Sequence, residues 1–320
     1  MKRIDVITNA THLTMLATLL LATLALLTPA QATDAFTASE AVAPQLEPRW
    51  VVTSGLRRRY WVHVPPDAMR TEPSPVVVAF HGGLGNAPNF ADSNSLAHAS
   101  AARGYLAVFP EGTRRRPPGT QGRTWNAGNC CGVAMQENVN DVQFFRDLLN
   151  ALSREFSVDP DRVYATGISN GAMMAYRIGL EAPELLAAIA PVAGARGVEG
   201  APNGPLPVVA FHGLLDQNIP FHGGVGIGVS GTDFFSQAES IGPFFDVNQC
   251  NLADSTKDVS GEAIRYEMPS PIGHDIHYWL LQDGGHTWPG QPAGGGGAAI
   301  NQDIDASEVM LDFFDAHHRP

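Results

Sequence analysis

Arg162-Val163-Tyr164-Ala165-Thr166-Gly167-Ile168-Ser169-Asn170-Gly171-Ala172-Met173-Met174-Ala175-Tyr176 is the stretch that decides how this chain folds. Residues 162–166 form a short, β-favouring apolar run, led in by Val158-Asp159-Pro160-Asp161, and residues 172–177 are good helix formers. Between them Gly167-Ile168-Ser169-Asn170-Gly171 reads G-x-S-x-G at a strand-to-helix turn. A serine on so sharp a turn stands clear of the backbone in a strained conformation, and neighbours without a Cβ relieve the crowding. A glycine-rich turn with a solvent-facing serine would need nothing else from the chain, whereas a nucleophilic Ser169 needs partners.

Outward from that turn the pattern repeats. Pro75-Val76-Val77-Val78-Ala79-Phe80 and Tyr105-Leu106-Ala107-Val108-Phe109 are unbroken apolar runs, as expected of strands buried on both faces. Further strands are expected at residues 187–193, 207–211 and 277–281, and a hairpin at residues 50–52 and 60–64 turning at Thr53-Ser54-Gly55. Residues 139–153 carry Val142, Phe145, Leu148, Leu149 and Leu152 at helical spacing, and a last helix starts near Asp305. Strands alternating with helices predict an α/β fold. It is a mostly parallel central sheet with helices on both faces, a single domain without a large cap domain, spanning residues 49–320. Residues 33–48 read as a flexible lead-in, and the glycine-rich stretches 222–232 and 292–298 as surface loops.

Ligands of such sheets sit beyond the carboxyl ends of the strands, where Phe80-His81-Gly82-Gly83, Ser169 and Phe211-His212-Gly213…Asp216 all fall. A serine nucleophile needs a base and an acid that orients it. His286, in Asp283-Gly284-Gly285-His286-Thr287-Trp288-Pro289-Gly290, follows a strand in a loop of unusual backbone and is the expected base. Asp216, a few residues past another strand, is the expected acid, its other reading being an Asx turn that caps its own loop. Asp233 and Asp246 are weaker alternatives. His212 and His81 read as braces of their turns, and His277 as a packed strand residue. The oxyanion calls for two N–H donors, expected from Asn170 and from Gly83, with Leu84 the alternative to Gly83.

Lys2, Arg3, the uncharged apolar stretch 13–27 and Ala30-Gln31-Ala32 read as a secretory signal over residues 1–32. Its apolar part is 15 residues, short of the ~20 that span a bilayer, so no stable membrane insertion is expected. The net charge is −12, and removing Lys2, Arg3 and Asp5 makes it −13, which excludes a phosphate-seeking nucleic-acid binder. Of the three cysteines, Cys250 is expected to pair with Cys131 or Cys130 rather than leave a strained bridge between neighbours. Adjacent cysteines lack the usual zinc spacing, and no metal site is expected.

FHGGLGNA (80–87), TWNAGNCCGVA (124–134), NVNDVQFFRDLL (138–149), the block 158–194, FHGLLDQNIPFHGG (211–224), GGHTWPG (284–290) and DIDASEVMLDFF (303–314) together resemble the secreted esterases grouped with polyhydroxybutyrate depolymerases and feruloyl or acetylxylan esterases. The resemblance implies an α/β-hydrolase fold, cofactor-free ester hydrolysis and the triad Ser169, Asp216 and His286. It also implies a bridge from the Cys130-Cys131 pair to Cys250, taken as Cys131–Cys250, and a cleft lined by Trp125 and Trp288, for which core packing is the other reading. Asn140 stands where the family's stretch has Asp. The chain ends 34 residues after His286, leaving no room for an added polymer-binding module and favouring soluble or oligomeric esters. The expected partner is an ester: feruloyl, acetyl or short hydroxyalkanoate. A serine peptidase of the same fold and a non-catalytic carbohydrate-binding protein are the competing readings.

Overall fold

The apolar runs at residues 74–80 and 106–110 are strands whose every residue is buried. The structure, a computed structural model, describes residues 45–65, 73–114, 122–292 and 298–320. The expected signal at 1–32, residues 33–44 of the lead-in and most of the glycine-rich stretch 292–298 lie outside the described residues.

The strands are β1 (Leu46–Thr53), β2 (Leu56–His63), β3 (Ser74–Phe80), β4 (Leu106–Pro110), β5 (Val158–Ile168), β6 (Ala188–Val192), β7 (Val208–Gly213), β8 (Gly224–Val225), β9 (Asp233–Phe234), β10 (Thr256–Ser260), β11 (Ala263–Met268) and β12 (Ile276–Leu281). Ten of them form one sheet in the order β1-β2-β4-β3-β5-β6-β7-β12-β11-β10. Its centre, β4 to β12, is parallel, and an antiparallel pair flanks each edge. Because β1 starts at Leu46, the last residues of the expected lead-in are already strand. Ser54 (φ 48) and Gly55 (φ 77) turn the first hairpin, both left-handed, as a two-residue turn matched to strand twist requires.

The helices are α1 (Ala87–Asp92), α2 (Leu96–Ala102), α3 (Gly132–Gln136), α4 (Asp141–Glu155), α5 (Asn170–Glu181), α6 (Gln237–Val247) and α7 (Ala306–Ala316). Alternation along β3 assigns the layers: Val76, Val78 and Phe80 pack with α4, α5 and α6, while Val77 and Ala79 pack with α1, α2 and α7. Asn140 accepts from the Gln143 N–H at 2.9 Å and caps α4, a task Asn performs as well as Asp. Sequence reading leaves α6 and the β10–β11 hairpin unassigned, although Ser236 and Glu239 form a reciprocal capping box at the start of α6.

The chain runs from β3 outward to β4 and then returns to place β5 on β3's other side. Connections therefore leave β3 and β5 towards opposite faces, opening a crevice at their carboxyl ends. Phe80 pairs with Gly167 there, which brings the His81-Gly82-Gly83 turn level with Ser169.

Candidate active site

Ser169 adopts φ 58 and ψ −124 between β5 and α5, a left-handed backbone that side chains rarely tolerate. Its N–H donates to Val192 O at 3.0 Å, which anchors the turn on β6. The flanking glycines answer to β3 more than to the turn itself. A Cβ on Gly167 would stand 2.5 Å from Phe80 O, and one on Gly171 would stand 2.0 Å from it. The elbow is sharp because β3 packs against both of its arms.

The turn after β3 faces this elbow. Cβ positions at Gly82 and Gly83 would lie 3.5 Å from the Cβ atoms of Ser169 and Asn170 respectively. His81 braces the turn: its Nδ1–H donates to Gly82 O at 2.7 Å and its Nε2 accepts from the Gly112 N–H at 3.0 Å. Burial pushes this imidazole down to about 4, so it is a neutral brace. Leu84 donates its N–H to Arg123 O at 2.8 Å, which removes it as an oxyanion donor. Among the described residues the N–H groups of Gly83 and Asn170 have no protein acceptor. Asn170 also opens α5, where helix-end N–H groups favour negative charge.

Asp216 and His286 meet. His286 Nδ1 donates to Asp216 Oδ2 at 2.7 Å, and this contact leaves Nε2 as the ring's acceptor. Asp216 Oδ1 accepts from the N–H groups of Asn218 and Ile219 at 2.8 and 2.9 Å. The Asx turn and the contact to His286 therefore coexist, one oxygen serving each. The two loops interlock through Leu215 N–H to Gly284 O at 2.9 Å and Leu214 N–H to Leu281 O at 2.9 Å. His212 donates from Nε2 to Ile219 O at 2.9 Å and stands 3.6 Å from Asp216 Oδ2. It is wholly buried and pushed down to about 4 by desolvation, a second neutral brace. Ser169 sits at the same end of the sheet, and its hydroxyl makes no hydrogen bond among the described residues.

Three expectations are corrected. Trp125 and Trp288 are 0 % exposed and belong to the two cores, so neither lines a cleft. Trp125 packs edge-on against Phe80 with ring centroids 5.0 Å apart, and Trp288 meets Phe90 at 5.6 Å while its Nε1 donates to Ser307 Oγ at 3.1 Å. The Cys131–Cys250 bridge is not formed: Cys250 is free. Cys250 follows α6 and donates its thiol to Met268 O at 3.4 Å, whereas Cys130 packs with Met173, Ile219 and Phe234. His277, in β12, packs its ring edge-on against Phe313 with centroids 4.8 Å apart, and Asp233 and Asp246 are exposed.

Sequence reading missed what holds the 122–127 segment between the two loops. Asn170 and Trp125 pair by side chain to main chain, and a buried Arg58–Asp141 ion pair at 2.9 Å accepts Asn126 N–H at 2.8 Å. These contacts join residues 45 and 83 positions apart, beyond any local spacing rule.

A parallel-centred sheet with a serine elbow and an Asp–His pair at its carboxyl end defines the α/β-hydrolase fold. The family described as Esterase PHB depolymerase matches residues 58–201. The esterase-named NocK of Nocardia uniformis subsp. tsuyamanensis is 28% identical over 83% of this chain and 81% of its own. Feruloyl esterase B of Piromyces equi is 29% identical over 72% of this chain, a match that spans only 42% of that protein's length. An acetyl xylan esterase from Aspergillus awamori superposes with a TM-score of 0.59 at 14% identity, covering 84% of this chain and 99% of that one, which bears on the fold alone. The chain is thus similar to esterases of the polyhydroxybutyrate depolymerase and feruloyl esterase group, the family match lying over residues 58–201.

Proposed function

We propose that this carboxylic ester hydrolase works through an acyl-enzyme on Ser169, with His286 as base and Asp216 as its orienting acid. The observation that carries the reading is the 2.7 Å His286–Asp216 hydrogen bond. It fixes the tautomer whose Nε2 can take a proton, at the end of the sheet where Ser169 is held strained between glycines. Substrate binding closes the Ser169–His286 contact, since such bonds tighten in the Michaelis complex. Ser169 Oγ loses its proton to His286 Nε2 and attacks the ester carbonyl. The oxyanion develops towards the N–H groups of Gly83 and Asn170, and His286 returns the proton to the leaving alcohol. Water, deprotonated by His286, then releases the acid. Asp216 orients the ring and stabilises the imidazolium that forms.

Feruloyl, acetyl or short hydroxyalkanoate esters are the proposed substrates, and residues 1–32 are proposed to direct export. The exposed Leu84, Leu214 and Leu215, on the loops after β3 and β7, give this end of the sheet an apolar character suited to acyl and aryl groups. Burial of Trp125 and Trp288 removes the aromatic-cleft argument for aryl specificity. Ser169→Ala should abolish p-nitrophenyl butyrate hydrolysis and covalent labelling by a fluorophosphonate. Half-retained hydrolysis, or labelling elsewhere, would end the assignment. Methyl ferulate, acetylated xylan and hydroxybutyrate oligomers compared by kcat/KM decide the ester class.

A further inference from the structure

Trp125 spends its polar groups on the two loops that carry Gly83 and Asn170. Its main-chain N–H donates to Asn170 Oδ1 at 2.8 Å, and its carbonyl accepts from Asn170 Nδ2 at 3.1 Å. Its indole Nε1 donates to His81 O at 2.9 Å, one residue before the Gly82-Gly83 turn. The carbonyl also accepts from Cys131 N–H at 3.1 Å. On either side, Arg123 O accepts from Leu84 N–H at 2.8 Å and Asn126 N–H is held by Asp141 at 2.8 Å. Residues 123–126 thus form a strap from the β3 turn to the start of α5. Trp125 is 0 % and Asn170 2 % exposed, so no water competes for these bonds.

Resting on the reading of Ser169 as nucleophile, we propose that Trp125 and the Asn170 side chain form a clamp that sets the separation and aim of the Gly83 and Asn170 N–H groups. The two donors sit on different loops, and nothing in either loop alone fixes the distance between them. Trp125 touches both, through rigid groups and in a dry environment. It is a positioning residue and never meets the ester. The amide side chain of Asn170 positions the main-chain N–H of its own residue by tying it to the strap. Because the clamp aims donors at a charge present only in the transition state, its loss falls on kcat rather than on KM.

Asn170→Ala removes the clamp and keeps the Asn170 main-chain N–H, whereas Trp125→Phe keeps an aromatic ring and both main-chain bonds but removes the bond to His81 O together with part of the buried ring volume. With p-nitrophenyl butyrate, Asn170→Ala should lower kcat by about 10- to 100-fold with KM moving less than about threefold, the size expected when donors shift by a fraction of an ångström. Trp125→Phe should act in the same direction but less. The double variant should fall short of the product of the two effects, because both act on one unit. The Ki of a trifluoromethyl ketone, whose adduct bears the oxyanion, should rise in step with the loss of kcat/KM. Unchanged kcat, a loss confined to KM, or an unchanged ketone Ki would overturn the clamp. If Asn170→Ala does not fold, Trp125→Phe decides by the same readouts. Fluorophosphonate labelling separates the two failures: labelling at Ser169 with undiminished kcat in the variants sinks the clamp alone, while labelling elsewhere in the unaltered protein sinks the nucleophile.

Discussion

Gly171→Ala tests whether β3 is what makes the elbow. The added Cβ would lie 2.0 Å from Phe80 O, 2.6 Å from Phe80 C and 2.7 Å from His81 O, all backbone atoms of β3 and its turn. Real Cβ contacts stay beyond 3.0 Å, so β3 and the start of α5 must part by about 1 Å. That movement carries Ser169 and Asn170 away from Gly82 and Gly83. A misplacement of this size costs about 100-fold in rate, or about 2.7 kcal/mol of transition-state stabilisation. Overpacking should also cost about 1–3 kcal/mol of folding stability. The assay is kcat/KM for p-nitrophenyl butyrate beside a urea melt. Gly171→Ala with full activity and an unshifted melt would refute the packing argument.

Other outcomes follow from buried groups. His81 and His212 are neutral in the fold, pushed down to about 4, and titrate near 6.5 when unfolded. Between those values the unfolded chain binds the extra protons, so stability is full above pH 6.5 and is lost as pH falls towards 4, on the order of 3 kcal/mol per ring. Urea midpoints from pH 7.5 to 4.5 check the slope, which His212→Gln should flatten; an identical slope would remove His212 as its source. Asp141→Ala leaves the Arg58 guanidinium buried without its 2.9 Å partner and should cost about 3–5 kcal/mol, most of it recovered by Arg58→Met with Asp141→Leu. A loss under about 1 kcal/mol in the single variant would contradict burial of that pair.

The elbow, the parallel centre of the sheet and the residues proposed as acid and base were legible because each rests on local pattern. Apolar runs buried on both faces announce β3 and β4, and Gly-x-Ser-x-Gly between a strand and a helix announces the turn. Asp216 and His286 were found by their positions just past strands, which the sheet then aligns. The β10–β11 hairpin escaped because β10, at the edge of the sheet, is exposed along its whole length and carries no apolar stripe. Trp125 and Trp288 were misread because a tryptophan near polar motif residues looks the same whether its ring faces a ligand or a core. Cys250 was misassigned because its distance from Cys131 depends on where α6 delivers it.

The amino-acid sequence by itself determined most of the central elements, their order and the chemistry the carboxyl end of the sheet could host, since these follow from periodicity, backbone preference and side-chain type. Only the tertiary structure decided that Asp216 divides its two oxygens between its own loop and His286. It alone showed that Gly167 and Gly171 answer to β3, and that Trp125 straps the β3 turn to the elbow. Each of these is a contact between segments far apart in the chain, and its geometry exists only after the sheet has brought them together.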